Sequence, residues 1–341
     1  MTWTSKTPRM TEAASPGYPL LDYFPELSRI PRAALATLPT PIEPLPEASP
    51  SGSLWIKRDD LSDGAFGGNK VRALEFLLGG VKRGDTVLTI GGEGSTHVLA
   101  TAYHAARLGA RTHAIRWRHE MTPVARAVAA RAAELCDRMT TTRTIVGTAA
   151  HVLWRRGRNR RLHWIPMGGS SPLGVLGHVN AALELERQIS EGALPRPARI
   201  IVPLGTGGTA AGLALGLAIA GLRVPVVAAR IGPRIGANRQ RVLALARATR
   251  RLIGQETGRR LPSLTSHALR VVHDVYGGAY GRPLPAGDRA AEQMMVWRGL
   301  ALDATYSAKA FAAAIAHHRH SEDPTLFWLT FDGRMLGGSP R

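Results

Sequence analysis

From Leu54 onward the chain alternates between two hydrophobic patterns. Short apolar runs such as "TVLTI" (86–90), "RIIVPL" (199–204) and "VPVVAAR" (224–230) read as buried strands. Between them lie longer stretches whose apolar residues recur every three or four positions. "THVLATAYHAARLGA" (96–110) is one of these: a helix there puts Val98, Leu99, Ala102, Ala105 and Ala106 on a single face. Strand and helix signals alternating at this length predict parallel βαβ units.

Two such series follow one another. The first holds a strand at "LWIKRDD" (54–60), a helix after Lys70, the strand 86–90, the helix 96–110, a strand at "RTHAIRW" (111–117) and a helix from about 122 to 137. The second runs from the helix "GVLGHVNAALELERQI" (174–189) through the strand 199–204, a helix within "GGTAAGLALGLAIAGL" (207–222) and the strand 224–230. A helix over 237–256 and a strand at "VVHDV" (271–275) continue it. "WIPMGGSSPLG" (164–174) separates the two series, which predicts two α/β lobes. The expected division is a small domain of residues 71–168 set into a large one made of 26–70 plus 169–341. The first fifty residues carry ten prolines, so residues 1–25 are expected to be a disordered extension, with "LPTPIEPL" (38–45) entering a strand.

Composition narrows the function classes. Hydrophobic residues make up 44% of 341 and mean hydropathy is near zero, which fits a soluble globular protein. The apolar run 207–222 is shorter than the ~20 residues a membrane span needs, so it predicts a buried helix and no membrane partner. No secretory pattern is expected at the start, and a sole cysteine, Cys136, rules out an internal disulfide framework. A reducing, cytoplasmic setting follows. Net charge is +19, yet five of the 44 basic residues are lysines and the arginines are spread over nearly every segment, which reads as a composition bias. A nucleic-acid surface through "RRGRNRR" (155–161) lacks interleaved aromatics, zinc-ligand spacing and any reading motif, so nucleic acid is not an expected partner. No metal-ligand cluster stands out. The few lysines become the informative cations.

Three stretches could carry chemistry. "VPLGTGGTAAGL" (202–213) runs a strand straight into Gly205, Thr206, Gly207, Gly208 and Thr209 and then a helix, so free N–H groups and a helix dipole converge as they do on an anion. It lacks both the P-loop ending and the dinucleotide spacing; the competing reading is a tight turn that needs glycine for geometry alone. In "IGGEGSTHVLA" (90–100), Ser95 or Thr96 reads as a helix cap, and the N–H groups around Ser95, Thr96 and His97 could also hold a substrate carboxylate. "AFGGNK" (65–70) sets Lys70 behind Gly67 and Gly68, either as a surface lysine or packed against a flat ligand as a desolvated amine nucleophile. A phosphate cup without a nucleotide motif, together with an amine nucleophile, is what pyridoxal 5'-phosphate requires.

The blocks "LPTPIEPL", "WIKRDDLSDGAFGGNKVRALEFLL", "GGEGSTH", "GGSSPLGVLGHVNAALEL", "PLGTGGTAAGL", "GGAYGRP" and "LDATYSAK" resemble, in order and spacing, the fold type II pyridoxal-phosphate enzymes. Within that class they are most similar to the 1-aminocyclopropane-1-carboxylate deaminase and D-cysteine desulfhydrase family, over roughly residues 38 to 335. The resemblance implies a two-lobed α/β fold of open, twisted, mostly parallel sheets flanked by helices, tryptophan synthase β-like. It implies pyridoxal 5'-phosphate in the cleft, a small amino-acid substrate and a homodimer. Lys70 matches the Schiff-base lysine, Gly205 to Thr209 the phosphate cup, and Ser95 the serine at the substrate carboxylate. Tyr280 and Tyr306 match two tyrosines facing the substrate. Ser307 falls where the cofactor's pyridine nitrogen finds its partner, with the hydroxyl of the desulfhydrases in place of the deaminases' glutamate. The implied reaction is α,β-elimination and deamination to a 2-keto acid and ammonia. Ring opening, β-replacement, racemisation and silent cofactor binding are the alternatives. The chain departs from the family at Gly94-Ser95-Thr96, where Thr96 replaces an asparagine that bonds the cofactor's phenolic oxygen. It departs also at Ala73, in place of a second basic residue, and at "WLTFDGR" (328–334), where Thr330 matches a glycine-flanked threonine.

Overall fold

A computed structural model describes residues 17–49, 53–119, 121–158, 161–319 and 323–334. The chain opens with α1 (Pro19–Tyr23), β1 (Ile42–Pro44), β2 (Leu54–Arg58) and α2 (Asn69–Leu77). Next come β3 (Thr86–Gly92), α3 (Thr96–Arg107), β4 (Arg111–Trp117), α4 (Pro123–Leu135), β5 (Arg138–Thr142), α5 (Ile145–Arg158) and β6 (Leu162–Ile165). Then follow α6 (Pro172–Ser190), β7 (Arg199–Leu204), α7 (Gly208–Ile219), β8 (Val226–Arg230), α8 (Arg239–Thr257) and β9 (Leu269–Val272). The chain closes with α9 (Pro285–Arg298), α10 (Ser307–Arg319) and β10 (Thr325–Leu329).

The strands form two sheets, one ordered β5-β4-β3-β6 and the other β1-β2-β10-β7-β8-β9. Every pairing is parallel except β1 with β2. Parallel strands must be covered on both faces, which explains why β7, β8 and β10 read as continuous apolar runs rather than alternating ones. α7 is apolar all round and buried along nearly its whole length, as its sequence predicts.

Some expectations are corrected. Residues 17–25, placed in the disordered extension, instead form α1 and its C-cap, with Leu20 and Phe24 buried in the main core; residues 1–16 lie outside the described residues. Asn180 of α6 fixes this segment, accepting from Leu20 N at 3.0 Å and donating to Gly17 O at 3.1 Å. Ala106 is exposed, whereas His104 of the same helix is buried and donates from Nε2 to the Phe66 carbonyl at 3.2 Å. The strand read at 271–275 is β9, which ends at Val272. β5, α5 and β6 were not anticipated: their burial is partial, and α5 leaves Ile145, Val146, Leu153 and Trp154 exposed.

Candidate active site

A cavity of about 380 Å³ opens at the carboxyl ends of strands from both sheets. β3 reaches it at Gly91 and Gly92, β4 at Trp117, β7 through Gly205, β8 through Ile231, and β10 through Thr330 and Phe331. Ligands of open parallel sheets bind at this end, because strand termini and helix N-termini leave free polar backbone there.

Lys70 stands in the first turn of α2 and lines the cavity. Burial lowers its amine from 10.5 to about 8, and no Asp or Glu among the described residues lines the cavity to hold the proton. The two preceding glycines have a different role from the expected one of admitting a flat ligand. Neither lines the cavity. A Cβ on Gly67 would fall 2.1 Å from the Asp60 carbonyl oxygen, and Gly68 has φ +106 with its Cβ position 2.9 Å from Thr330 O. They let the start of α2 press against backbone: Gly68 bridges Phe331, and Asn69 N donates to Thr330 O at 3.0 Å.

Gly205 to Gly207, in the stretch read as a candidate cup, form the bend that leads from β7 into α7. Gly207, at φ +92, is the N-cap of α7, and Val242 of α8 packs so close that a Cβ there would meet it at 3.2 Å. Asn69 Nδ2 donates to Thr209 Oγ1 at 2.8 Å, tying the helix of Lys70 to the cup. Thr206 Oγ1 pairs with Ser170 Oγ at 2.6 Å. Gly205, Thr206, Gly207, Gly208 and Thr209 all line the cavity.

Across the cavity Ser95 caps α3, accepting from Val98 N at 3.5 Å, and Ser95, Thr96 and His97 line the wall. His97 Nε2 pairs with Thr89 Oγ1 at 3.0 Å. Burial, and then the charge of Lys70, press its pKa down to about 3, so the ring is neutral. Tyr280 and Tyr306 line the cavity with their hydroxyls hydrogen-bonded to each other. Burial raises Tyr280 to about 12 and Tyr306 well above its usual value, so both stay protonated. Ser307 does not line the cavity. It follows Tyr306 at the start of α10, its N–H donates to Asp303 Oδ2 at 3.0 Å, and its buried Oγ has no hydrogen-bond partner. An amine and a glycine cradle at a helix N-terminus in one cavity fit the cofactor that the resemblance implies.

A buried ionic network underlies α2. Arg72 donates to Asp59 and Glu184, and Lys57 Nζ to Glu184 Oε1, Thr40 O and Gln188 Oε1, at 2.5 to 3.1 Å. Burial by itself would raise the Glu184 carboxyl, but Arg72 and Lys57 hold it at about 2.

Asn69, Trp117, His119, Met167, Arg241 and, in the loop after β8, Ile231 to Pro233 and Ile235 to Ala237 also line the cavity, and no sequence motif marks them. Their signal is positional. Most follow directly on a strand end, where the topology of parallel sheets places ligand contacts. His119 sets its ring edge against Tyr280, with centroids 5.4 Å apart, and its Nε2 lies 2.7 Å from Glu93 O.

Comparison with known proteins agrees with this geometry. The family described as "Pyridoxal-phosphate dependent enzyme" matches residues 33–330. The chain is 34% identical over 321 residues to nocardicin C-9' epimerase of Nocardia uniformis subsp. tsuyamanensis, covering 91% of this chain and 95% of that protein. It is 33% identical over 333 residues to D-cysteine desulfhydrase of Salmonella paratyphi A, covering 92% and 96%. A crystal structure of an ACC deaminase homologue superposes with TM-score 0.75 at 28% identity, over 91% of this chain and 94% of that one.

Proposed function

The chain belongs to the fold type II pyridoxal-phosphate-dependent enzymes, and from that premise we propose that it carries out α,β-elimination on a small amino acid bearing a thiol or hydroxyl at its β carbon. With one water consumed to supply the keto oxygen, the products are the displaced group, a 2-keto acid and ammonia. The observation that carries this reading is one cavity holding an amine lowered to about 8 and a phenol pair raised by burial, Tyr280 to about 12 and Tyr306 well above its usual value. Titratable groups driven apart in this way divide into a base and an acid.

When bound, pyridoxal phosphate supplies an electron sink for negative charge at the substrate's α carbon. Lys70 anchors the cofactor through Nζ and, once exchanged for substrate, takes the α proton there. Free N–H groups at the start of α3, with Ser95, receive the carboxylate and fix which α bond faces the sink. The Tyr280–Tyr306 pair, held protonated, donates to the departing group. Ser307 is proposed as the partner of the pyridine nitrogen, its hydroxyl favouring elimination over ring opening.

Epimerisation is a second reading, supported by the relative named as an epimerase: the same phenols would return the proton to the α carbon. A screen of D- and L-amino acids in D2O separates the two. Elimination yields keto acid and, from cysteine, sulfide. Deuterium incorporation with inversion and without keto acid would overturn elimination.

A further inference from the structure

We propose that Arg241 is a clamp on the cofactor's phosphate, adding a fixed positive charge to a cup otherwise made of backbone and hydroxyls. Among the described residues, Arg241 and Lys70 are the only arginine or lysine side chains lining the cavity, and no acidic one lines it. Arg241 is an exposed residue that lines the cavity without a carboxylate partner among the described residues, which leaves its guanidinium open to an anion that enters. The guanidinium is held by the cup itself, since Arg241 Nε donates to the carbonyl oxygen of Thr206 at 3.0 Å. Its terminal nitrogens make no hydrogen bond or ion pair with the described residues. Its neighbour Arg239 points elsewhere, donating to Leu269 O and Ser266 O beside β9.

The placement has a cost that an anion relieves. Arg239 and Arg241 occupy the first turn of α8, where the helix dipole is positive, and that turn holds no acid. Val242 lies against Gly207, so the first turn of α8 meets the N-terminus of α7 at the cup. Two positive helix ends and a guanidinium therefore converge where the five cup residues stand. Ala73 stands where the resembling family has a second basic residue, so α2 adds no further cation beside Lys70 except the buried, carboxylate-bound Arg72.

The inference rests on the cofactor and not on which reaction it supports, and the test reads binding rather than turnover. Apoprotein is titrated with pyridoxal phosphate and separately with pyridoxal, which lacks the phosphate, following cofactor absorbance. Losing a charge-assisted contact in Arg241→Ala is expected to weaken pyridoxal phosphate by ~10- to 100-fold, with pyridoxal binding held within about twofold and Arg241→Lys intermediate. Arg241→Met, which keeps the aliphatic stem, serves if the alanine variant does not fold. Unchanged affinity for pyridoxal phosphate overturns the clamp, as does an equal loss for both ligands, which would mean a disturbed loop. An unchanged cofactor affinity with a raised KM for an anionic substrate also overturns it, by assigning Arg241 to the substrate.

Discussion

Lys70 combines a local signal with a property that its surroundings create. The motif that marks it is six residues long, whereas its lowered pKa comes from burial in a cavity assembled from distant strands. That gives a pH prediction with a definite sign. Capture of the cofactor's aldehyde needs the free amine, so uptake of pyridoxal phosphate by apoprotein should accelerate as pH rises, with its midpoint near 8 rather than 10.5. Stopped-flow absorbance across pH 6 to 10 measures it, and a midpoint near 10.5 would contradict the burial. Lys70→Ala should show no α-proton exchange by NMR in D2O, a loss of ~10²-fold or more for a missing base. His97 shows the reverse limit of local reading: the sequence marks it as a candidate, and only its burial against Thr89 makes it a neutral wall.

Elements hold these residues in place through contacts that run far along the chain. α2 begins at Gly68, whose φ of +106 and contact with Thr330 O exclude a side chain. Gly68→Ala should cost ~1–3 kcal/mol in denaturant unfolding and loosen cofactor binding, because the helix carrying Lys70 must shift. Beneath the helix, Glu184 is shared by Arg72 and Lys57. Glu184→Gln should destabilise by ~3 kcal/mol or more, since it leaves a buried cation without its carboxylate. Because Glu184 is lowered from 4.5 to about 2, its contribution is complete above about pH 4.5 and is lost as pH falls toward 2. The wild type should therefore lose stability across that window more steeply than the Gln variant. Element identity was legible where periodicity was strong, as in α3, or where the run was apolar throughout, as in α7. It was not legible over β5, α5 and β6, because α5 leaves Ile145, Val146, Leu153 and Trp154 exposed and so breaks the apolar pattern.

For the molecule as a whole, the cavity draws on α2, α3, α7 and α8 and on the ends of strands from both sheets, so a ligand there stabilises the folded chain against the unfolded one. At 100 times its dissociation constant, pyridoxal phosphate should add about 2.7 kcal/mol and raise Tm by a few degrees. Calorimetry with and without cofactor checks this, and the rise should shrink in Arg241→Ala. The assembly is proposed to be a homodimer, and sedimentation velocity reading a mass near 36.6 kDa rather than its double would contradict that. The sequence alone determined the α/β class and marked Lys70 and the turn at 205–209 as candidates, because periodicity, glycine turns and a short motif are properties of adjacent residues. It also carried the family's blocks in order. Only the tertiary structure decided that α1 packs into the core, that β1, β2 and β10 join β7 to β9 in one sheet, and that Gly67 and Gly68 serve backbone contact. It alone brought Arg241 to the cup. These are matters of which distant surfaces meet, and no local pattern encodes the partner a residue finds after the chain has closed on itself.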